Sequence, residues 1–282
     1  MEQKTALILE GGAMRGLYSA GVLDVFMENN IKIDVIYGVS AGALFGLNYK
    51  SRQIGRAIRY NLKYANEKNY MGLYSLITTG DIMNKEFCFK KLVYELDKLD
   101  FETYKNTPVD FYAVVTNLQT GKPEYIKIDD AKKDIEYFRA SGSMPYVSRP
   151  VEINGNLYLD GAVADAVPIK KALDADYEKI IVVLTRPFGH NRKKKSRLPH
   201  KLIYGKFPNF VETLNNSYKK YNETMDLIEK YEAENRIIVI RPSEFINVKR
   251  VEKNKSKLQS IYDLGKSDSI NKLDEIKEYV RL

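Results

Sequence analysis

The sequence predicts an α/β fold built on a mainly parallel sheet, and three observations lead to this prediction. Within the first fifty residues, short apolar runs typical of buried strands alternate with segments whose apolar residues recur at helical spacing. The turns between these strands and helices are rich in glycine, as expected where a strand passes directly into a helix. The 282 residues, of which 44% are hydrophobic and 29% charged, suit one large folded domain or a domain with an extension.

The first strand covers residues 5–9 and stops at an acidic residue that two glycines follow. Apolar residues then recur at helical spacing over residues 17–26, so a helix follows the turn. Residues 33–39 are predicted as a second buried strand, and residues 41–47 as the helix that leaves it. This order of strand, helix, strand and helix predicts parallel strands, because the helix carries the chain back to the same edge of the sheet.

The rest of the chain continues this pattern less regularly. Residues 51–104 are predicted to be mostly helical, and they are polar and rich in tyrosine. Further strands are predicted at residues 111–116, 123–128, 157–159, 180–184 and 237–240, and further helices at residues 135–141, 210–234 and 261–280. A lysine-rich loop near residues 190–206 is the best boundary between a core and a C-terminal extension.

Composition limits the class of protein. The single cysteine, Cys88, cannot form an internal disulfide, and we expect a packed thiol in a reducing compartment. No group of cysteines and histidines has the spacing of a zinc site. The apolar run near the N-terminus has only four residues, too short for a signal peptide or a membrane span, and no later segment reaches about 18 apolar residues. The sequence therefore predicts a cytoplasmic protein without a bound metal.

The chain carries a net charge of +8, and part of this excess is local. A stretch without acidic residues contains Arg192, Lys193, Lys194, Lys195, Arg197, Lys201 and Lys206. One interpretation is a solvated surface loop. A second is a patch that draws the protein to anionic lipid head groups at the inner face of the membrane, where each cation contributes about 1 kcal/mol. Binding to nucleic acid is not expected, because no recognition motif accompanies the charge.

A nucleophile elbow is indicated by the G-x-S-x-G pattern of Gly38-Val39-Ser40-Ala41-Gly42, between a predicted strand and a predicted helix. The glycines flank the serine because the tight turn leaves no room for larger side chains. The turn places the hydroxyl of Ser40 at a helix N-terminus, where the amide of Ala41 can face an oxyanion. The pattern therefore predicts that Ser40 is a nucleophile. Ser141 and Ser143 are further candidates, but neither lies in an elbow.

A nucleophilic serine needs a proton acceptor. The two histidines, His190 and His200, flank the lysine-rich stretch and are predicted to lie at the surface, outside any site. A carboxylate is then the better candidate, and Asp160 lies at the end of a predicted strand, followed by Gly161 and Ala162. An Asp-Gly pair alone is usually only a turn. The position of this pair makes Asp160 a candidate for the site, because three turns at three strand ends are predicted at one sheet edge, where open α/β sheets bind ligands.

A glycine-rich loop follows the first strand, with the sequence Gly11-Gly12-Ala13-Met14-Arg15-Gly16. Its free backbone amides are predicted to point the same way as those after the serine turn, because both turns lie between a strand and a helix. Such amides can bind a phosphate or a dinucleotide, or they can form an oxyanion hole. A dinucleotide site would place an acidic residue at the end of the second strand, where this chain has the serine turn. The oxyanion hole is therefore favoured, and no cofactor is expected.

Together these motifs resemble the patatin-like phospholipase family in its bacterial branch. The resemblance rests on residues 10–16, 38–42 and 160–162, with supporting stretches at 114–121 and 140–145. It implies a three-layer α/β/α fold and a lipid acyl hydrolase that cleaves lipid or acyl-ester substrates through a Ser-Asp dyad, with no metal or cofactor. The likeness covers residues 5–175 as a catalytic core, and residues 176–282 resemble C-terminal extensions that complete the core or pack on it.

The resemblance also implies roles for single residues. Ser40 would be the nucleophile that forms an acyl-enzyme, and Asp160 the proton acceptor. The resemblance implies an oxyanion hole formed by Gly11, Gly12, Ala13 and Ala41, with Arg15 supporting the loop. It also implies that small residues support the motifs, namely Gly16, Gly38, Gly42, Gly161 and Ala162.

Two positions depart from the family pattern. Ala13 stands where the family usually has a third glycine, and Glu10 stands where it often has aspartate. Because alanine adopts fewer backbone conformations than glycine, a second hypothesis stays open, in which the chain is a catalytically weak or regulatory module that binds acyl lipids. We expect the amide of Ala13 to remain usable. A free aspartate has a pKa of about 3.9, so a working dyad also requires a partly dry site.

Overall fold

In the computed structural model, which describes residues 4–194 and 198–281, the chain forms one central sheet with helices on both faces. The strands are β1 (Thr5–Leu9), β2 (Val35–Val39), β3 (Asp110–Asn117), β4 (Pro123–Lys127), β5 (Val151–Ile153), β6 (Asn156–Asp160), β7 (Lys179–Val183) and β8 (Ile238–Ile240). They follow the order β5-β6-β3-β2-β1-β7-β8, with β4 paired to β3 outside this path. Neighbouring strands are parallel along the path β3-β2-β1-β7-β8. β4 and β6 are antiparallel to β3, and β5 is antiparallel to β6. The predicted α/β fold with a mainly parallel sheet is confirmed.

The helices connect the strands and cover both faces of the sheet. They are α1 (Leu17–Glu28), α2 (Ala41–Lys50), α3 (Arg56–Tyr64), α4 (Leu73–Thr79), a π-helix (Phe87–Leu96), α5 (Phe101–Asn106), α6 (Ile135–Gly142), α7 (Ile169–Asp174), α8 (Leu198–Tyr204), α9 (Pro208–Ala233), α10 (Lys255–Asn271) and α11 (Leu273–Arg281). None of these helices, over the ranges that the structure describes, combines the length and the apolar character needed to cross a bilayer.

Alternating strand residues place the sheet between two apolar layers. In β1, Leu7 and Leu9 pack on the face covered by α1, α2, the π-helix and α10, whereas Ala6 and Ile8 pack on the face covered by α7 and α9. All four side chains are fully buried, as expected for a parallel strand covered on both faces. The sheet is thus the middle of three layers, as the resemblance implied.

The register of β3 positions the candidate site. β2 runs parallel to β3 and ends with Val39 opposite Val114. β6 runs antiparallel to β3 and ends with Asp160 opposite Val115. β4 pairs with residues 112–116 of β3, which overlap both the residues that pair with β2 and those that pair with β6. β4 therefore occupies one edge of β3, and β2 and β6 share the opposite edge. The two strands therefore meet end to end, which brings Asp160 next to Ser40, the residue that follows β2.

Residues after 175 complete the sheet and contribute helices to both of its faces. β7 pairs with β1, and β8 pairs with β7. α10 packs along α1 so closely that a Cβ atom at Gly265 would lie 2.0 Å from Tyr18 O. Tyr18 Oη donates a hydrogen bond to Asp268 at 3.0 Å. Tyr262 Oη donates one to Asp24 at 2.6 Å, so buried polar contacts join the same two helices.

Some predicted bounds are wrong. The predicted terminal helix at residues 261–280 is two helices, α10 and α11, which are separated at Lys272. α10 begins earlier than predicted because the side chain of Asn254 caps it, accepting a hydrogen bond from Lys257 N at 3.1 Å. β5 and α7 were not predicted, since a strand of three residues and a helix of six are too short to produce a periodic pattern.

The lysine-rich stretch at residues 190–206 is not a single loop, because α8 lies within it. The sequence predicts His200 at the surface, but only 5% of it is exposed. Its Nδ1 lies 2.8 Å from Asn215 Oδ1, and its ring stacks on Tyr146. His200 and Tyr204 are four residues apart and so share one face of α8, which packs on Tyr146. The prediction for His200 is therefore wrong.

Candidate active site

The turn between β2 and α2 is tight and places Ser40 at its apex. Ser40 has φ 55° and ψ −123°, a conformation rare for a residue with a side chain. A Cβ atom at Gly38 would lie 2.6 Å from Ala43 Cα. One at Gly42 would lie 2.4 Å from Leu9 O. Both glycines are thus required for the turn that holds the serine hydroxyl at the N-terminus of α2.

Ser40 and Asp160 are in direct contact, although they are 120 positions apart in the chain. Ser40 Oγ donates a hydrogen bond to Asp160 Oδ2 at 2.6 Å. The other carboxylate oxygen accepts one from the amide of Ala162 at 2.8 Å. Gly161 permits this turn, because a Cβ atom there would lie 2.2 Å from Val114 O of β3. The carboxylate is therefore held in one orientation, with one oxygen directed at the serine.

The environment of Asp160 changes its acidity. The side chain is buried, and burial raises the pKa of its carboxyl from an ordinary 3.8 to about 6. The hydrogen bonds from Ser40 and Ala162 and the positive charges of Arg192 and Arg250 oppose this rise. The carboxyl is still mostly ionised at neutral pH, and its pKa is close enough to neutrality for it to accept a proton and return it.

Hydroxyl side chains hold the two motifs together. Ser141 Oγ accepts a hydrogen bond from Ser40 N at 2.9 Å and donates one to a backbone oxygen of β3 at 2.7 Å. Thr116 Oγ1 donates to the backbone oxygen of Asp160 at 2.9 Å. Ser143 is buried too, and its hydroxyl donates to a backbone oxygen of α6 at 2.8 Å. The sequence indicated Ser141 and Ser143 only as alternative nucleophiles, and the supporting contacts of Ser141 could not be predicted because they involve residues distant in the chain.

The glycine-rich loop lies against Ser40. A Cβ atom at Gly11 would lie 2.7 Å from Ser40 Cβ, so a larger residue would not fit. A Cβ atom at Gly12 would lie 2.7 Å from Thr185 Oγ1. Ala13 has φ 50°, in the left-handed region, where an alanine pays roughly 1–2 kcal/mol. The residue that departs from the family pattern therefore keeps a backbone conformation typical of glycine.

Gly16, Ala41 and Arg15 lie beside this loop. A Cβ atom at Gly16 would lie 2.6 Å from Ala41 Cβ, so the first turns of α1 and α2 are in contact. Arg15 is half-buried, and burial together with the nearby cations Arg186 and Arg192 lowers its pKa to about 10. Its Nε is buried and makes no hydrogen bond within the described residues. The loop is thus supported by packing at Gly16 and Ala41 rather than by a hydrogen bond from this nitrogen.

Residues from the C-terminal part anchor the loop through Glu10. This carboxylate is 1% exposed and accepts hydrogen bonds from Thr185 N at 2.7 Å and Tyr221 Oη at 3.1 Å. Arg192 lies 3.9 Å from it, with its guanidinium 3.7 Å from the centre of the Tyr221 ring. Sequence reasoning missed Thr185 and Tyr221, because isolated polar residues so far along the chain belong to no motif.

The cations of the lysine-rich stretch divide into two groups. Arg192 folds inward over the ring of Tyr221, whereas Lys193, Lys194 and Lys201 are exposed. Lys195 and Arg197 lie outside the described residues. His190 is half-buried, with its ring 6.4 Å from that of Tyr221, and burial lowers its pKa.

An apolar cavity opens beside Ser40. It has a volume of about 90 Å³ and lies between α2, the π-helix and α6. Its apolar lining includes Leu44, Phe45, Phe89, Leu92, Phe138 and Met144. Cys88 also lines it; its buried thiol donates to Tyr70 O at 3.1 Å, which confirms the predicted packed thiol. In the part of the chain that the structure describes, no group of three histidine, cysteine or acidic residues could hold a metal ion.

Residues 7–173, more than half of the chain, match the family model described as patatin-like phospholipase. The chain belongs to the patatin-like phospholipase family. The resemblance drawn from the three motifs is thereby confirmed, and membership makes the chain an enzyme of the lipid esterase and phospholipase class. Residues 207–281 of this patatin-like chain match a second model, described as a domain of unknown function, DUF6363.

Relatives of this patatin-like chain differ widely in length. It is 24% identical over 270 residues to YjjU of Escherichia coli (strain K12), covering 93% of this chain and 75% of YjjU. It is 28% identical over 183 residues to lysophospholipase nte1 of Aspergillus terreus, covering 62% of this chain and 11% of that protein. The chain thus spans only about a tenth of that lysophospholipase. A crystal structure of VipD from Legionella pneumophila aligns with 98% of this chain and 67% of VipD, at a TM-score of 0.49 and 13% identity.

Proposed function

We propose that this patatin-like enzyme is a serine lipid acyl hydrolase in which Ser40 and Asp160 form the catalytic dyad. The observation that carries the proposal is the hydrogen bond of 2.6 Å from Ser40 Oγ to Asp160 Oδ2. A pKa of about 6 supports the role of Asp160 as the base. The glycine-rich loop against Ser40 supports an oxyanion hole. The similarity to proteins named lysophospholipase supports an acyl ester of a lipid as the substrate.

In the first step, Ser40 Oγ attacks the carbonyl carbon of the ester while its proton passes to Asp160 Oδ2. The carbonyl oxygen becomes an oxyanion, which accepts hydrogen bonds from the amides of the glycine-rich loop and of Ala41. The bond to the alcohol then breaks, and Asp160 gives the proton to the alcohol oxygen. The product of this step is an acyl-enzyme, with the acyl group bonded to Ser40 Oγ.

In the second step, a water molecule takes the place of the alcohol. It gives a proton to Asp160 while its oxygen attacks the acyl carbonyl, and the same amides hold the second oxyanion. The tetrahedral intermediate breaks down as the proton returns to Ser40 Oγ, and the fatty acid leaves. One ester and one water are consumed, and both residues return to their starting states.

Replacement of either dyad residue tests the proposal. We expect Ser40→Ala to abolish both labelling by a fluorophosphonate and hydrolysis of short acyl esters, because the attacking oxygen is gone. Asp160→Asn keeps the shape of the side chain but cannot accept the proton, so the rate is expected to fall roughly 10²- to 10⁴-fold. Labelling is read by mass spectrometry, and hydrolysis by release of the alcohol.

Ser19→Ala is the matched control for these variants. Ser19 is a fully buried serine of α1 whose hydroxyl has no hydrogen-bond partner within the described residues, so labelling and hydrolysis should persist. Full esterase activity in Ser40→Ala would contradict the proposal. Binding of acyl lipids by the wild type without labelling or hydrolysis would favour the regulatory module instead.

We further propose that this cytoplasmic enzyme contacts an anionic membrane surface through the rim of the cavity. Three segments form this rim. Ile82 N donates to Val147 O at 2.7 Å, which joins the segment 71–83, including α4, to residues 144–149. Tyr146 N donates to Tyr204 Oη at 2.8 Å, which joins those residues to α8. The large apolar side chains exposed on the rim are Leu73, Tyr74, Ile77, Tyr146, Leu202 and Ile203.

The charges and the cavity support this orientation. The exposed cations Lys193 and Lys194 precede α8, and Lys201 lies on it. Met71, Met83 and Met144 of the rim segments line the cavity. An apolar rim flanked by cations suits an interface with anionic lipid. The single, buried cysteine suits the reducing cytoplasm.

Sedimentation with phosphatidylserine vesicles tests the membrane contact. The double variant Lys193→Gln, Lys194→Gln should bind more weakly, by about five-fold for each lysine, and Ile77→Asp should also bind more weakly. Ile54→Asp is the control, because Ile54 is an exposed isoleucine between α2 and α3, at the far end of α2 from Ser40. Equal binding of all these variants would contradict the proposed contact.

A further inference from the structure

The cavity follows α2 away from the dyad. Ser40 precedes the first turn of α2, and Leu44 and Leu47 line the cavity one and two turns further along. On the other side, the π-helix contributes Phe89 and Leu92. The cavity is therefore an apolar channel with Ser40 at one end.

Polar side chains close the far end of this channel. Arg56 lines the cavity and donates to Asn48 Oδ1 at 2.9 Å, two turns along α2 from Ser40. Asn61 and Tyr70 also line it, and Tyr70 Oη donates to Asn61 Oδ1 at 2.9 Å. An apolar chain that pushed past these residues would separate buried hydrogen-bonding partners, which is costly. The polar end is therefore a stop for such a chain.

The position of the stop along α2 gives the length of the channel. Asn48 follows Ser40 by eight positions, and at about 1.5 Å per residue the stop lies roughly 12 Å from the serine. An extended carbon chain advances about 1.3 Å per bond, since each C–C bond is about 1.5 Å long. A chain that reaches the stop thus has about nine carbons.

The volume of the cavity sets an upper limit close to this length. A water molecule needs about 10–15 Å³ of such volume, so the cavity volume of about 90 Å³ corresponds to roughly six to nine groups of that size at most. A methylene group is somewhat larger than a water molecule. The cavity therefore accommodates one acyl chain of medium length and leaves no room for a second.

We infer that this enzyme selects esters of one medium-chain acyl group, of about eight to ten carbons, and that the polar end of the cavity measures the chain. The inference rests on the proposed function, since the acyl carbonyl must lie at Ser40. Each methylene that enters the channel raises kcat/KM by up to about four-fold. Carbons beyond the stop raise it no further, because they remain outside the apolar channel.

A series of p-nitrophenyl esters tests the chain length. In the wild type, kcat/KM should rise from butanoate to octanoate and should be no higher for hexadecanoate. Leu44→Trp fills the channel one turn from Ser40, so it should move the optimum to butanoate. Leu47→Ala extends the deeper part and should move the optimum to longer chains. Leu23→Ala is the control, because Leu23 is a buried leucine of α1 that does not line the cavity, and it should keep the wild-type order.

Binding to Ser40→Ala separates this inference from the proposed reaction, since no hydrolysis is needed. In titration calorimetry, octanoic and decanoic acids should bind, and Leu44→Trp in the same background should lose them. This result without esterase activity in the wild type would uphold the channel as an acyl site while overturning the proposed reaction. A preference for hexadecanoyl chains, or one chain-length order shared by the wild type and Leu44→Trp, would overturn the inference.

Discussion

Ser40 and Ala13 have positive φ angles of 55° and 50°, in a backbone region that residues other than glycine rarely adopt. Strain of this kind costs roughly 1–3 kcal/mol for each residue and persists only where the surrounding contacts impose it. Here the glycine-rich loop lies against Ser40, and α2 leaves directly after the serine. Two strained residues on adjoining turns, beside a buried carboxylate, are typical of an active site.

The charge of Asp160 is expected to control the rate. Its pKa is about 6, above its ordinary value, and only the ionised carboxylate can accept the proton of Ser40. Activity should therefore rise with pH through an apparent pKa of about 6 and be lost below it. Arg192 lowers the pKa of Asp160, so Arg192→Ala should shift the acid limb of the kcat/KM profile to higher pH.

Arg236→Ala is the matched control for this shift, because it removes a cation whose side chain is 57% exposed and pairs with Glu234. The diagnostic quantity is the pH of half-maximal kcat/KM rather than the rate, since Arg192 also contacts Glu10. The same half-maximal pH in the wild type and Arg192→Ala would contradict the charge effect. A profile without an acid limb near pH 6 would contradict Asp160 as the base.

At the scale of elements, the direction of β6 places Asp160. The sequence predicts three strand ends at one sheet edge, as in a parallel sheet. β1 and β2 end there in parallel, but β6 is antiparallel to β3 and reaches the same place from the opposite direction. The strand itself and its Asp-Gly turn were predictable from neighbouring residues. Its direction was not, because direction depends on pairing with β3, which lies some forty positions earlier.

The contact between α1 and α10 leads to a prediction at the same scale. Ala in place of Gly265 would put a methyl group 2.0 Å from a backbone oxygen of Tyr18, and a backbone atom cannot rotate away. Gly265→Ala should therefore lower the free energy of unfolding by about 1–3 kcal/mol, even though alanine favours a helix by about 1 kcal/mol. Urea denaturation measures the change.

Ser260→Ala is the control for Gly265→Ala, because Ser260 lies on the exposed side of α10. Its free energy of unfolding should stay within about 0.5 kcal/mol of the wild type. A Gly265→Ala variant that is as stable as the wild type would show that the two helices can separate without cost.

At the scale of the whole molecule, we propose that residues 5–175 form the catalytic core and that residues 176–282 are an extension that completes it. β7 pairs with β1 over five residues, from Thr5 opposite Lys179 to Leu9 opposite Val183. Thr185 and Tyr221, both in the extension, hold the carboxylate of Glu10 at the glycine-rich loop. The core and the extension are therefore separate stretches of sequence, but we do not expect the core to fold without the extension.

Truncation after Ala175 tests this proposal. The fragment would expose one edge of β1 and the apolar surfaces that β7, α9 and α10 cover, so we expect no cooperative unfolding transition by circular dichroism. Fluorophosphonate labelling of Ser40 should be lost with the fold. A truncated chain that unfolds cooperatively and is labelled at Ser40 would contradict the role of the extension.

The sequence by itself determined the local parts of this protein. The strand-to-helix turns at the glycine-rich loop and at Ser40, and the turn after Asp160, were predictable because tight turns restrict residue types within a few positions. The tertiary structure decided the contacts between distant segments. Glu10 meets Tyr221 across 211 positions, and burial by the whole fold raises the pKa of Asp160 to about 6. Burial and cavity shape depend on every element that packs around a site, so they could not be predicted from any local sequence pattern.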